Sequence, residues 1–198
     1  HISGAWIGIW LQNKQLDNPV QDNEVWWCNY GIVQDGPRHT SVINNLVAES
    51  CSIGIEVNLT DANGIGDSNT EVLMENNTIV GSWDYGYGQS YGIYVSGVTD
   101  ENDAGKVVIA NNLIVGSYWY AVTQVYGYME AYRICNGYGN NWQIENPGNP
   151  YDDVSPQILL SDPFVYGYQP PFYISSVPSI ECCVCAFKDI NIMHINNI

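Results

Sequence analysis

The chain alternates short apolar runs with polar breaks, and the runs recur in a fixed order. One phrase occurs three times, at residues 41–47, 71–81 and 106–116: a β-branched run, an Asn-Asn pair and a second apolar run. The runs are four to six residues long and rich in Val and Ile. Such runs are too short for helices, so they predict β-strands.

A second phrase, built on Gly-Ile, gives the period of the repeat. It begins at Gly8, Gly31, Gly54 and Gly92, and in a looser form at Ala121. The spacings are 23, 23, 38 and 29 residues, which indicates one unit with insertions. A period near 23 with two or three strands per unit predicts a parallel β-solenoid, in which each unit is one winding, here called a coil. Leucine-rich repeats share this period, but their leucine pattern and helical half are absent.

The Asn-Asn pair is predicted to lie at a corner of each coil. Asparagine tolerates the left-handed backbone conformation that a tight corner needs, and stacked asparagines can hydrogen-bond from coil to coil. The sequon at Asn76 falls within this ladder and is expected to be buried there. Asn58, in the other sequon, is therefore the better candidate for N-glycosylation.

Six phrases resemble the right-handed parallel β-helix repeat proteins of the pectate-lyase-like superfamily. They lie at residues 75–81, 91–95, 109–115, 136–141, 161–165 and 173–180. The resemblance covers roughly residues 1–180 and implies an all-β, right-handed parallel β-helix. It implies no single function, because the superfamily holds lyases, hydrolases, epimerases, adhesins and inert scaffolds.

Length limits the number of domains, and charge limits the possible partners. A chain of 198 residues can bury a substantial core. We expect one β-helix domain over residues 1–198, with an irregular excursion at 143–172 and a coil-like tail at 173–198. The net charge of −16 should repel nucleic acid and anionic membranes. No apolar run reaches the roughly 18 residues of a membrane span, and the low lysine content together with the fold favours an extracellular location.

The cysteines are candidates for disulfides. Cys28 and Cys51 each lie three residues before a repeat glycine, so they should stack in neighbouring coils. The coil spacing of about 4.8 Å is slightly long for a disulfide, which leaves a bridge and a reduced pair both open. The cluster of Cys182, Cys183 and Cys185 lacks zinc-knuckle spacing. It is expected to fasten the C-terminal tail.

Two loops carry candidate calcium ligands. Residues 60–69 and 99–105 both begin Thr-Asp-x-Asn, with the Asp seven or eight residues after a repeat glycine, so they should leave the same corner one coil apart. Carboxylate and amide oxygens on a sharply turning backbone are what calcium needs, although Asp and Asn are also ordinary turn residues. The candidate ligands are Asp61, Asn63, Asp67, Asp100, Asn102 and Asp103.

Aromatic residues are concentrated in the second half of the repeat region. The candidates for a binding surface are Trp83, Tyr85, Tyr87, Tyr118, Trp119, Tyr126 and Tyr128. Exposed Tyr and Trp beside carboxylates and amides bind the flat faces of sugars. Stacking of these rings on one another and an intermolecular interface are the two alternatives.

No catalytic residue is predicted. The five basic residues lie in different coil contexts, and the motifs of pectinase hydrolases are absent. No capping helix is visible at residues 1–10, so the end coils should offer unpaired strand edges. The leading hypothesis is a non-catalytic extracellular module that stacks on itself or on coils of a longer chain. The alternative is a carbohydrate-binding or polysaccharide-degrading β-helix.

Overall fold

The computed structural model describes most of the repeat region. The described residues are 1–12, 19–82, 90–125, 127–139, 141, 143–145, 153–154 and 157–158. They form nineteen β-strands and one short 3₁₀ helix, Glu101–Asp103. This part of the chain contains no helix long and apolar enough to cross a membrane.

The strands follow one another in chain order with short connections. They are β1 (Ile2–Ser3), β2 (Ile7–Gln12), β3 (Val20–Gln21), β4 (Glu24–Trp26), β5 (Tyr30–Asp35), β6 (Thr40–Ile43), β7 (Leu46–Ala48), β8 (Ile53–Asn58), β9 (Glu71–Glu75), β10 (Thr78–Val80), β11 (Tyr91–Ser96), β12 (Lys106–Ala110), β13 (Leu113–Val115), β14 (Tyr120–Val125), β15 (Glu130–Ile134), β16 (Gly137–Gly139), β17 (Gln143–Glu145), β18 (Asp153–Val154) and β19 (Gln157–Ile158).

These strands build three parallel sheets, which the chain visits in turn. The first sheet has the order β1-β4-β7-β10-β13-β16-β19, the second β17-β14-β11-β8-β5-β2, and the third β18-β15-β12-β9-β6-β3. Each group of three consecutive strands therefore contributes one strand to every sheet. The fold is all-β, with strands of successive coils stacked in parallel, as expected for a parallel β-helix.

Strand register confirms the spacing of the repeat. In the second sheet Ile9 pairs with Ile32, Ile32 with Ile55, Ile55 with Ile93, and Ile93 with Val122. The intervals are the ones that the Gly-Ile phrase predicts. The longer intervals hold the connection between β8 and β9, the stretch between β10 and β11, and the connection between β11 and β12.

The Asn-Asn pairs lie at the corner between the third and first sheets, as predicted. The first residue of each corner has a left-handed backbone with φ of 54° to 58°, at Asp22, Asn44, Asn76, Asn111 and Cys135. The next residue turns inward and forms a ladder of Asn23, Asn45, Asn77, Asn112 and Asn136. The expectation that Asn76 is buried in this ladder is wrong, because Asn76 is the left-handed corner residue and Asn77 is the ladder residue.

A second corner, between the first and second sheets, also uses left-handed residues. These are Gly4, Trp27, Glu49, Gly81 and Gly116, with φ between 52° and 74°. Residues of all three sheets share one buried core, which consists mainly of branched aliphatic residues and methionine. Its central members are Val25, Val47, Ile79, Ile114, Ile32, Ile55, Ile93, Val122, Val42, Val72, Met74, Val107 and Ile109.

One charged residue interrupts this apolar interior. Arg133 pairs with Ile109 in the third sheet, and Ile109 pairs with Met74, so the arginine continues an inward-facing row. Its exposed fraction is 1%. The alternation of β15 puts Arg133 on the same inward face as Ala131. Its burial was not predicted, because arginine is rarely found fully buried.

Candidate functional site

The outer face of the second sheet carries two rows of functional side chains. Because side chains alternate along a strand, the residues between the inward isoleucines point away from the core. The first row is Trp10, Val33, Glu56, Tyr94 and Thr123, of which Val33 and Thr123 are buried. The second row is Gln12, Asp35, Asn58 and Ser96. Aromatic, carboxylate and amide groups thus lie side by side on one face.

Two carboxylates and an amide interact near the middle of this face. The Asn58 side-chain nitrogen donates a hydrogen bond of 3.0 Å to Glu56. Burial raises the pKa of Glu56 above its ordinary value. The hydrogen bond from Asn58 opposes this rise, and the nearby charge of Asp35 adds to it. Glu56 therefore releases its proton at a higher pH than an ordinary glutamate.

Arg38 lies just after β5, in the turn that leads to the third sheet. It is 5% exposed, and its Nε and Nη2 atoms are buried without a hydrogen-bond partner. Burial lowers the pKa of Arg38, and the carboxylate of Asp35 opposes that shift. Asp35 thus interacts electrostatically with both Arg38 and Glu56. The repeat pattern predicts no site that combines Arg38 with Asp35 and Glu56.

The described aromatic candidates lie at the ends of the second-sheet strands. Tyr118 and Trp119 directly precede β14, and both are exposed. Tyr128 is exposed as well, and its backbone exchanges hydrogen bonds of 2.7 and 3.0 Å with that of Val98. The other four candidates, Trp83, Tyr85, Tyr87 and Tyr126, lie outside the described residues.

Ring stacking occurs along the second sheet itself. Tyr91 and Tyr120 pair in adjacent strands, and their rings are 6.1 Å apart and inclined by 7°. Neighbouring contacts join Tyr91 to Tyr94 and Tyr120 to Trp119. Some of the aromatic rings therefore stabilise the second sheet by stacking on one another. The side chains of Tyr118, Trp119 and Tyr128 remain exposed.

The first candidate calcium loop leaves the second sheet after β8. The carboxylate of Asp61 accepts hydrogen bonds from the backbone N–H groups of Asn63, at 2.8 Å, and Ile65, at 3.0 Å. Asp67 accepts one from the backbone of Asn69 at 2.9 Å. Both carboxylates thus hold the turn conformation of their own loop.

The second candidate loop leaves one coil later, after β11, at the same corner as predicted. The Asp100 carboxylate accepts from the backbone of Asn102 at 2.9 Å, and this bond lowers the pKa of Asp100. Asp103 ends the 3₁₀ helix, and its carbonyl oxygen lies against Gly66 of the first loop. Within the described residues, no group of three or more His, Cys, Asp or Glu side chains is placed to hold a metal ion. Calcium binding stays a prediction.

The described cysteines occupy two different environments. Cys28 and Cys51 are neighbours, since the Cys51 N–H donates to the Cys28 carbonyl at 2.9 Å, and both thiols are free. The Cys28 thiol lies close to Gly8, and in the next coil the hydroxyl of Ser50 lies close to Gly31 in the same way. Cys135, not proposed for a disulfide from the sequence, is disulfide-bonded. Cys182, Cys183 and Cys185 lie outside the described residues.

The geometry defines an all-β repeat protein of the parallel-sheet type, with a polar and aromatic face on its second sheet. Comparison with protein-family models, curated protein sequences and solved structures found no match. The proposals below therefore depend on the residues and contacts of this chain.

Replacing Glu56 with Gln is expected to stabilise the fold near neutral pH and not in acid. Because the folded-state pKa of Glu56 is raised, ionising it costs folding free energy as pH rises through that pKa. Gln removes the charge and can still accept the Asn58 hydrogen bond. The gain in thermal midpoint should therefore vanish below the ordinary carboxyl pKa of about 4.

The control for this substitution is Glu101→Gln, which removes an exposed carboxylate. Removing any one negative charge reduces the repulsion within a chain of net charge −16. The control measures how much this general effect raises the thermal midpoint. Thermal midpoints of both variants are measured as a function of pH. Equal gains for the two variants at every pH would contradict a raised pKa of the half-buried Glu56.

Proposed function

We propose that this chain is a right-handed parallel β-helix that acts as a non-catalytic assembly module, located outside the cell. Its partner is a further coil, supplied by a second copy of the chain or by a longer polypeptide. Right-handedness is supported by the general preference of parallel strand connections. The single observation that carries the proposal is the state of the N-terminal coil.

The N-terminal coil leaves three strand edges without a neighbour. β1, β2 and β3 each stand at the end of their sheet, so in the described part of the chain they are paired on one side only. The inward residues Ile2, Ile9 and Leu11 pack on the core but are only partly buried, whereas Ile32 and Ile55 in the same row as Ile9 are fully buried. An additional coil would pair these edges and cover this apolar surface.

Two exposed tryptophans lie on the same coil. Trp6 is 65% exposed and Trp10 is 51% exposed. Tryptophan is enriched in protein interfaces, where its large ring supplies much of the binding energy. If successive copies stack head to tail without closing, the product is a filament.

Assembly through this edge predicts that particle mass increases with protein concentration. The substitution Ile9→Lys places a charge on the inward face of the N-terminal coil. It should keep the chain monomeric, because an inward-pointing charge blocks edge pairing. The matched control is Ile43→Lys, on the outer face of the third sheet and one coil in from this end. Light scattering gives the mass, and circular dichroism verifies folding. A wild-type chain that is monomeric at every concentration would exclude the proposal.

Carbohydrate binding is the second candidate function, favoured by the outer face of the second sheet. Trp10 and Tyr94 lie in the same row as Glu56, and Asp35 and Asn58 form the adjacent row. Sugars are bound by aromatic stacking combined with a few fixed polar groups. Calcium at the loops after β8 and β11 would add ligands at one end of this face. Polysaccharide cleavage is a further possibility for the same surface.

A glycan screen tests this second candidate. Tyr94→Ala and Trp119→Ala are each expected to weaken binding about tenfold, the effect of losing roughly 1.4 kcal/mol of stacking. Tyr132→Ala, which removes an exposed tyrosine from the third sheet, is the control and should bind normally. Assays for new reducing ends and unsaturated products, with and without calcium, report cleavage. Absence of wild-type binding, or equal loss in the control, would count against this function.

A further inference from the structure

The pair Asn-Gly occurs twice in the chain, as Asn63-Gly64 and as Asn136-Gly137. In such a pair the backbone nitrogen of the glycine can approach the side-chain amide of the asparagine closely, because glycine has no Cβ to obstruct it. The two pairs have the same local chemistry but lie in opposite environments. Asn63 is in an exposed loop, and Asn136 is in the buried asparagine ladder.

Asn63 lies in the connection between β8 and β9, where residues 62–65 are all exposed. Its backbone N–H donates to the carboxylate of Asp61 at 2.8 Å. Its side-chain amide has no hydrogen-bond partner within the described part of the chain. The carbonyl carbon of this amide is therefore open to attack, and the amide nitrogen can leave directly into water.

Gly64 has the conformational freedom that such an attack requires. Its φ is +77°, and a Cβ atom there would meet nothing within 4 Å, so the space around it is open. Its N–H donates to the carbonyl of Asp61 at 2.9 Å, and this bond must open before the nitrogen can react. Because the loop is exposed, water can replace the bond, which makes its net strength small.

The second pair is held by hydrogen bonds on every side. Asn136 is 0% exposed, and its side-chain nitrogen donates to the carbonyl of Ile109 at 2.9 Å. Its side-chain oxygen accepts from the backbone and side-chain nitrogens of Asn112, both at 3.0 Å. The N–H of Gly137 donates to the carbonyl of Asn112 at 2.8 Å. Attack at Asn136 therefore requires the coil to open.

We propose that Asn63 is a site of spontaneous deamidation in the folded protein and that Asn136 is protected from the same reaction. The backbone nitrogen of Gly64 loses its proton and bonds to the side-chain carbonyl carbon of Asn63. The C–N bond of the amide breaks, and its nitrogen takes up one proton and leaves as ammonia. Water then opens the succinimide ring to give aspartate or isoaspartate.

The reaction changes both the charge and the backbone of the loop. Each event adds one negative charge between Asp61 and Asp67. The isoaspartate product also inserts a methylene group into the backbone, within the turn that the carboxylate of Asp61 holds through the N–H groups of Asn63 and Ile65. This inference is independent of the proposed assembly and carbohydrate functions.

The proposal is tested by incubating the folded full chain at mildly alkaline pH, followed by peptide mapping with mass spectrometry. Deamidation at Asn63 should be faster than at Asn136 by about a hundredfold or more, because only the second site requires the coil to open. Labelling with an isoaspartate-specific methyltransferase identifies the product. Equal rates at the two sites, or no reaction at Asn63, would overturn the proposal.

The urea-unfolded chain is the control for intrinsic reactivity. Without their native hydrogen bonds the two pairs should react at rates within about threefold of each other, because the denatured chain exposes both. A preference for Asn63 as large in urea as in the folded chain would overturn the assignment of protection to the fold.

A pair of loop variants tests the attacking atom. Gly64→Ala should slow deamidation of Asn63 at least about tenfold, because the added Cβ obstructs the approach of the backbone nitrogen. Ile65→Ala alters the next exposed side chain of the same loop and should leave the rate unchanged. An unchanged rate in Gly64→Ala, or an equal decrease in both variants, would exclude attack by the Gly64 nitrogen and overturn the proposal.

Discussion

Replacing Asn77 with Ala is expected to lower the free energy of unfolding by about 3 to 5 kcal/mol. Its side-chain nitrogen donates to the carbonyl of Val42 at 2.8 Å and to the side chain of Asn112 at 2.9 Å. Its oxygen accepts from the backbone and side-chain nitrogens of Asn45, both at 3.0 Å. Asn77 is fully buried, so Ala would leave several polar groups without a partner and without access to water.

The adjacent Asn76 provides the matched control. Asn76 holds the left-handed corner with a φ of 56°, a conformation that Gly adopts readily. Asn76→Gly should therefore change the free energy of unfolding by no more than about 1 kcal/mol. Chemical denaturation measured by circular dichroism compares the two variants. Equal losses for Asn76→Gly and Asn77→Ala would show that the ladder contributes no more than the corner conformation.

The repeat was predictable because its strongest signals are local. The Gly-Ile phrase marks the same strand in every coil, so insertions of different length do not hide it: Gly54 and Gly92 are 38 residues apart, yet Ile55 and Ile93 pair. The Asn-Asn phrase marks a corner because asparagine serves both a left-handed backbone and a hydrogen-bonded ladder. Each signal expresses a requirement that recurs in every coil.

The residues at each corner between the third and first sheets were not fully predictable. The two positions of the corner have different requirements, so they need not both be asparagine. The first position needs a left-handed backbone, which Asp22 and Cys135 supply as well as Asn does. The second needs an inward amide, and Asn136 supplies it after Cys135. The pair Cys135-Asn136 therefore continues the ladder without showing the Asn-Asn phrase. The same ambiguity led to the wrong assignment of Asn76, because the pattern does not say which asparagine turns inward.

The candidate site depends on contacts between coils, which are harder to derive. Asp35 and Glu56 are far apart in the sequence, and strand register alone brings their rows together. The burial of Arg38 likewise depends on its surroundings in three dimensions rather than on the local sequence. The two loops after β8 and β11 were placed correctly at one corner. The orientation of their carboxylates was not predictable, because it is decided by which backbone N–H groups Asp61 and Asp100 bind.

Replacing Gly54 with Ala is expected to destabilise the fold by about 2 to 4 kcal/mol through overpacking. A Cβ atom at Gly54 would lie 2.6 Å from the carbonyl oxygen of Gly92 and 2.6 Å from a methyl group of Ile79. The carbonyl belongs to the adjacent coil, so it cannot withdraw without disturbing the parallel ladder. Ile79 is buried in the interior and has little room to move.

Gly4 is the control for Gly54, because it separates backbone conformation from packing. Gly4 has a φ of 70°, and a Cβ there would meet nothing within 4 Å. Gly4→Ala should therefore cost only the strain of a left-handed alanine, about 1 kcal/mol. Unfolding of both variants by urea measures the difference. If Gly54→Ala were no more destabilising than Gly4→Ala, the close approach of the second sheet to Ile79 would not be what requires glycine in the Gly-Ile phrase.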